Sequence, residues 1–459
     1  MSTKSLSPGQ TVEARRTLPI VALALAIAVV VQLIGQFKLD LGIGAIVVFP
    51  MVWGLIAGVL VSLQKFKPLG MDLQKIAAAL VGVAVMLLVA RLAFNIGPSL
   101  PTLVKAGPAL LLQEVGHLLG TIVLALPLAV LLRMGKSTVG ATFSLDREPS
   151  FAMVSEKYGP DSDQYRGVLA MYVFGTLFGA VYITLLTSLI ANWGIFDPLA
   201  LAMGAGVGSG SMMAASAGSI IAAYPGDKEA ILGMAAVSNL ITTILGVYVG
   251  IYIALPLADK FYRLLTRKEA RKEALVAASA EAGTAEVSEA DAAAATEAAE
   301  ANRRFREQVA ESSAEVKLPL WVSMGALSLI GIATAAVAAK GFTWSIVGGY
   351  AVLVGLILVS MFLAKVTRKI SAIVWATTIG ALISSPWSPV GEVLVKLVGA
   401  VDFLSIATVV LTCAGLSLGK DIPLLRQIGW KIIPVGLVAI TASFILSAII
   451  AEFALGMWN

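Results

Sequence analysis

The residues best placed to do chemistry lie in QEVGH, where Gln113, Glu114 and His117 share one face of a helix. Spacings of three and four bring side chains together on such a face. His117 is the only histidine of the chain. The stretch is flanked by apolar sequence, and an ionisable group is costly to bury at membrane depth, so its presence there asks for a function or a partner. Glu114 and His117 have the chemistry to hold a substrate amine or a coupling proton. Arg91 and Asn95, one turn apart in ARLAFN, lie at a similar depth in the preceding apolar segment. From there Arg91 would set the pKa values of both groups. The same residues also read as a fixed Arg91–Glu114 pair, with His117 a neutral packing residue. Asp402, in GAVDFLS, has a similar depth in the second half of the chain. It reads either as a further coupling residue or as a hydrated group near the outer interface.

A second cluster is carried by GAGVGSGSMMAASAGS, residues 204–219, which holds five Gly, four Ser and no charge. Glycine permits unusual dihedrals and close approach. Non-helical backbone survives at membrane depth only where protein or a wet cavity covers it. On that reading Ser209, Ser211, Ser216 and Ser219 face a wet cavity and bind substrate. The competing reading is a tightly packed helix, because Gly204 and Gly208 form a GxxxG pair. The next apolar segment carries Asn239 in a polar stripe with Ser238, Thr242 and Thr243. Asn239 and Thr242 would hydrogen-bond a substrate or an ion, unless the hydroxyls bond their own backbone. The SSPWSP turn at 384–389 reads as another helix break or as an interfacial end anchored by Trp387.

Other chemistries lack their parts. E-x-x-H is half of a di-iron bundle site, which needs a second histidine. One cysteine and one histidine exclude most zinc sites. No G-x-x-x-x-G-K-[ST] phosphate loop is present, and GAGVGSG follows no strand. The expectation is therefore no enzyme, no catalytic residues, no metal, no cofactor and no nucleic-acid partner.

These residues sit in a chain of 459 residues that is 58% apolar and only 13% charged, with a mean hydropathy of +0.90. Soluble domains carry roughly 25% charged residues. Nearly all the apolar residues fall in runs long enough to cross a hydrocarbon core of about 30 Å. Spans are expected near 19–36, 42–63, 76–96, 108–132, 167–191, 230–257, 318–339, 343–364, 370–387, 399–418 and 432–455. The fold class is thus all-α, a polytopic membrane protein of about eleven transmembrane helices plus one re-entrant or broken Gly/Ser-rich segment at 198–222. The first span lacks a cleavage site and reads as retained. Cys413, the single cysteine, excludes a disulfide within the chain. LVKAGPALLLQE (103–114) and LVKLVGAVDFLS (394–405) each open a span that ends in Gly–Lys, which suggests a parallel duplication or chance similarity between apolar segments.

Residues 258–317 form the long polar insert, rich in Ala, Glu and Arg, with no face apolar enough to pack. It reads as a cytoplasmic linker between an N-terminal transmembrane half, 1–257, and a C-terminal half, 318–459. Lys and Arg concentrate in alternate loops, including ten cations between Lys260 and Lys317. The positive-inside rule places those loops, and the N-terminus, in the cytoplasm and the C-terminus in the periplasm. That count allows one net crossing between residues 193 and 258, so it favours a hairpin at 198–222.

Residues 197–257 resemble the bacterial lysine exporter family, which shows a similar A-L-A-x-A-S-G-x-G-x-x-S-x-S-G run followed by a loop and an Asn-bearing apolar helix. LLRMGKSTVGATFSLDRE and residues 414–450 are similar to that family's connector and span. Overall the chain looks like a family of uncharacterised bacterial inner-membrane proteins taken to be transporters. The resemblance implies an energy-coupled exporter or permease, moving its site by an elevator motion, with Ser209, Ser211 and Asn239 near the substrate. SNLITT carries no acid beside Asn239, which points away from lysine itself. The reading is a secondary transporter in the bacterial inner membrane, driven by H⁺ or Na⁺. Its small polar substrate is an amino acid or organic acid, its environment the lipid bilayer, and a homodimer is compatible with it. The alternatives are a passive channel, or a scaffold that recruits a cytoplasmic partner through 258–317.

Overall fold

The computed structural model describes residues 12–40, 45–143, 162–267, 300–308, 316–368, 370–421 and 429–458, together with 150, 153–154, 157–159, 297 and 310. Helix α1 (Ala14–Ile34) leads into a short antiparallel ribbon, β1 (Phe37–Asp40) with β2 (Ala45–Val48), in which Phe37 pairs with Val48. Helix α2 (Pro50–Leu63) follows, so within the span expected over 42–63 residues 45–48 are strand and the helix begins at Pro50, a proline at the first helical position. The 35-residue α3 (Met71–Lys105) is about 52 Å long at 1.5 Å per residue. It exceeds the hydrocarbon core and carries Pro98 and Pro101 near its end.

After α3 the chain turns into α4 (Gly107–Gly120), which passes through a π-turn (Thr121–Ala125) into α5 (Leu126–Leu131). The short α6 (Ser137–Thr142) precedes α7 (Asp163–Phe174), which a second π-turn (Gly175–Gly179) joins to α8 (Ala180–Trp193). Then come α9 (Pro198–Ala205), α10 (Gly210–Ala223) and α11 (Lys228–Val249), the last continuing through a π-turn (Gly250–Ala254) as helix to residue 267. The C-terminal part adds α12 (Leu320–Ala338), α13 (Trp344–Thr367), α14 (Ala372–Ile383), α15 (Gly391–Gly399), α16 (Phe403–Ser417) and α17 (Ile432–Trp458). Eight described helices are long and apolar enough to cross a membrane. The protein is an all-α polytopic membrane protein.

Glycine sets how closely the central helices approach. An added Cβ on Gly116 would lie 2.6 Å from the backbone of Leu446 and Ser447, and one on Gly120 would lie 2.7 Å from Ala442 O. This GxxxG face lets α4 and α17 pack backbone to backbone. Gly58 of α2 meets Leu416 N and Thr412 O of α16 in the same way, at 2.8 Å. The two segments proposed as a repeat therefore begin spans with different neighbours, since α4 packs on α17 whereas α16 packs on α2 and α3.

The contacts also fix the directions of the helices. Gln113, His117 and Gly120 meet Ser447, Ser443 and Ala442, so α4 and α17 are antiparallel. Arg91 reaches Val401 while Gln74 lies beside Gly419, so α3 and α16 are antiparallel too. Hence the end of α3, the start of α4, the start of α16 and the end of α17 share one end of the bundle. Asp197 binds Glu452 at that end, and Gly204 sits deeper, against Phe444. Then α10 runs back until Gly218 meets Met51 and Leu404, and Lys228 pairs with Asp402. Residues 198–223 are thus a helical hairpin that enters and leaves by the same end. The packed-helix alternative fails because the helix stops over 206–209, where Gly208 adopts φ +89°.

The expectation that no face of 258–317 packs also needs correction. Within the helix over 300–308, Phe305 is buried under the Arg166 guanidinium, and Asn302 bonds both Arg166 and Asp163.

Gly116→Val is expected to lower stability by about 2 kcal/mol through overpacking. Gly82→Val, where an added Cβ meets nothing within 4 Å, serves as control. Thermal melts of the two purified variants check this, and equal melting points would refute the glycine contact.

Candidate functional site

Helix α4 carries its polar residues on the face that meets α17 and α11. Gln113, Glu114 and His117 are 0%, 4% and 1% exposed, so their hydrogen bonds come from protein. Glu114 Oε1 accepts from Thr242 Oγ1 of α11 and from Gln113 Nε2 at 2.6 Å. His117 Nδ1 bonds Ser443 Oγ at 2.5 Å, and Ser447 Oγ donates to Gln113 O at 3.1 Å. The acid and the histidine therefore stand one turn apart in a sector shared by three helices.

Arg91 belongs to a different sector, which corrects the expected Arg91–Glu114 pair. Its Nε donates to Val401 O at 2.8 Å, and its guanidinium bonds Asn95 Oδ1. The acids whose charges reach it are Asp402 and Glu229. Asp402 caps α16, accepting from Ser405 N at 3.1 Å, and forms a 2.9 Å ion pair with Lys228. It is an end-of-bundle group tied to a helix cap and a lysine. The four residues read together from sequence are split by the structure into Glu114 with His117 and Arg91 with Asp402.

The break in the hairpin is built by Asn239. Its Nδ2 donates to Gly206 O at 2.7 Å and Gly208 O at 2.9 Å, while Ser238 Oγ donates to Met203 O at 2.7 Å. Gly206 O and Gly208 O lie past the last turn of α9, where no helical donor follows, while Met203 O also accepts from Gly206 N at 3.1 Å. Gly206 must be glycine, since an added Cβ would lie 2.7 Å from Asn239 N. Gly208 holds a left-handed backbone conformation that costs other residues roughly 1–2 kcal/mol. Ser209 caps α10, accepting from Met212 N at 3.3 Å, and its hydroxyl meets Ser211 Oγ at 3.0 Å.

Ser216 and Ser219 do not face a cavity. Both are fully buried against α8, Ser216 bonding Thr187 Oγ1 at 2.8 Å and Ser219 donating to Thr184 O at 3.1 Å. Thr242 is engaged with Glu114, and Thr243 bonds Asn239 O. A cavity of about 70 Å³ does adjoin the break, lined by Asn239, Thr243, Met213, Ser371 and Thr377. It has room for a few waters, each needing roughly 10–15 Å³, and not for a metabolite.

Sequence reasoning missed Ser443, Ser447, Thr187 and Lys228. Their signal was present in part. Ser443 and Ser447 are one turn apart on α17, opposite the Gly116–Gly120 face, so two complementary small-residue stripes were legible once paired. Thr187 and Lys228 had no signal that sequence spacing reveals.

Asn239→Ala leaves two carbonyls without their donor, which costs about 1–3 kcal/mol. Hydrogen exchange across 206–213 should rise about tenfold or more, with α15 unaffected; unchanged exchange would show that Asn239 does not hold the break. Asp402→Asn keeps a capping side chain and loses a pair that is 38% and 30% exposed. Its cost should stay within about 1 kcal/mol by chemical denaturation, and a larger loss would assign Asp402 a deeper role.

No curated protein and no solved structure matches the chain. A family model does match residues 29–264, described as a protein of unknown function (DUF3100). The matched region contains Arg91, the Gln113, Glu114 and His117 face, the whole broken hairpin, and Asn239 with Thr242. It covers just over half of the chain, and the protein accordingly belongs to the DUF3100 family of proteins of unknown function.

Proposed function

We propose that this membrane protein is a secondary active transporter of a small polar metabolite, an amino acid or organic acid, coupled to H⁺. The observation that carries the proposal is the placement of a buried carboxylate, Glu114, one residue-contact away from a helix break held open by Asn239. Thr242, three residues after Asn239 on α11, donates to Glu114, so one helix touches both. A change of charge at Glu114 would alter that contact and bias the position of α11 and of the hairpin it braces. His117, bonded to Ser443, gives the proton a second resting place on the same face.

Substrate class follows from the hairpin. The first turn of α10 begins inside the bundle with Ser209 and Ser211 beside it, and the positive end of a half-helix dipole favours a carboxylate. The cavity beside Asn239 is too small for such a solute in the conformation described. Transport therefore requires the hairpin or α14 to move, which agrees with the elevator motion implied by the resemblance to lysine exporters. The same resemblance and the alternation of basic loops support a bacterial inner-membrane location with the N-terminus in the cytoplasm.

Reconstituted vesicles loaded with a pH-sensitive dye provide the test, with a panel of amino acids and dicarboxylic acids added outside. We expect one class to drive saturable proton movement. Glu114→Gln should abolish that proton movement, by about a hundredfold or more, while solute exchange and the melting profile persist. Proton movement unchanged in Glu114→Gln, or solute flux that neither saturates nor moves protons in the wild type, would overturn the proposal.

A further inference from the structure

A groove of about 600 Å³ opens where the π-turn after α4 meets the extended end of α11. This lies within the range of about 300–1,000 Å³ typical of small-molecule sites. Its walls are apolar, including Val123, Leu257 and Leu264, which are 52%, 37% and 63% exposed. Its remaining lining is basic: Lys260, Arg263 and Arg267. Positions 260, 263, 264 and 267 follow the i, i+3, i+4, i+7 pattern, so the cations form one stripe along the helix, with Leu264 among them. Asp259 is ion-paired with Arg263 and lies 4.0 Å from Lys157, so the charge of this surface stays positive.

Where the groove sits decides what fits it. Arg133 O accepts from Lys431 at the nearby ends of α5 and α17, which marks this as the basic end of the bundle. The exposed apolar surface of the spanning segments, carried here by Leu124, Tyr252 and Ile253, runs directly into it. An occupant must therefore pair an apolar body, continuous with the bilayer, with an anionic head at the level of residues 260–267. We infer that this groove is a binding site for an anionic phospholipid, its phosphate held by Lys260, Arg263 and Arg267 and its acyl chain lying on Val123, Leu257 and Leu264. Basic pockets between spanning helices have this recognition chemistry, and Arg presents a fork that matches phosphate oxygens. The site does not depend on the transport reading.

The full-length protein in detergent is titrated with phosphatidylglycerol and with phosphatidylcholine of the same acyl chains, and bound lipid is counted by native mass spectrometry. Wild type should prefer phosphatidylglycerol. The triple variant K260Q/R263Q/R267Q should bind it about a hundredfold more weakly, at about tenfold or less per lost cation, with phosphatidylcholine unaffected. Lys365→Gln/Arg368→Gln, at another basic loop, should bind as wild type. Val123→Trp, which fills the groove without touching the charges, should also weaken phosphatidylglycerol and serves if the triple variant melts early. Equal binding of the two lipids by wild type, or retention of phosphatidylglycerol by both groove variants, would overturn the site. So would phosphatidylglycerol binding that appears only after deletion of residues 270–296, since the chain's own segment would then be the occupant.

Discussion

In a hydrocarbon core every backbone polar group must find its partner within the protein. The amide of Asn239 meets that demand where the chain departs from helix. By donating to Gly206 O and Gly208 O it lets α9 end and α10 begin inside the bundle. Without it the hairpin would leave those two carbonyls without their side-chain donor. The remaining architecture follows from the two short arms that result. One lies along α17, the other returns beside α8, and both enter and leave at a single end.

The second organising feature is close helix approach. Gly116 and Gly120 bring α4 against α17, which places His117 next to Ser443 and Gln113 O next to Ser447 Oγ. The helix that these glycines admit thus supplies hydroxyl partners to His117 and to Gln113 O, while Glu114 takes its hydroxyl from Thr242 of α11. Small residues do two jobs here. They allow packing that larger side chains would block, and they leave buried hydroxyls as the partners of the titratable groups. Membrane helices gain little from hydrophobic association in lipid, so such packing and hydrogen bonding carry much of the specificity.

Ion pairs play a smaller part in the membrane body. Asp402 with Lys228 clamps the end of the hairpin to the cap of α16, and both partners are partly exposed, where screening weakens them. Arg91 gives its hydrogen bonds to a carbonyl and an amide. The basic groups at the other end stand beside an apolar groove and give that end a charge the opposite end lacks.

The sequence by itself determined that the chain is an all-helical membrane protein, because apolar runs of spanning length have no other stable home. It also favoured a hairpin over a packed helix at 198–222, from the ten cations that run from Lys260 to Lys317, and it singled out Glu114, His117 and Asn239 as costly residues at depth. Tertiary structure decided which of these meet. Arg91 and Glu114 sit on consecutive helices at similar depth, yet helix rotation about its axis turns one toward Val401 and the other toward Thr242. Ser216 and Ser219 share a composition with Ser209 and Ser211, yet they point at α8 while the first pair stays at the break. Depth is readable from hydropathy, a one-dimensional quantity. The azimuth of a side chain around an almost wholly apolar helix leaves no periodic signal, and only packing against named neighbours sets it.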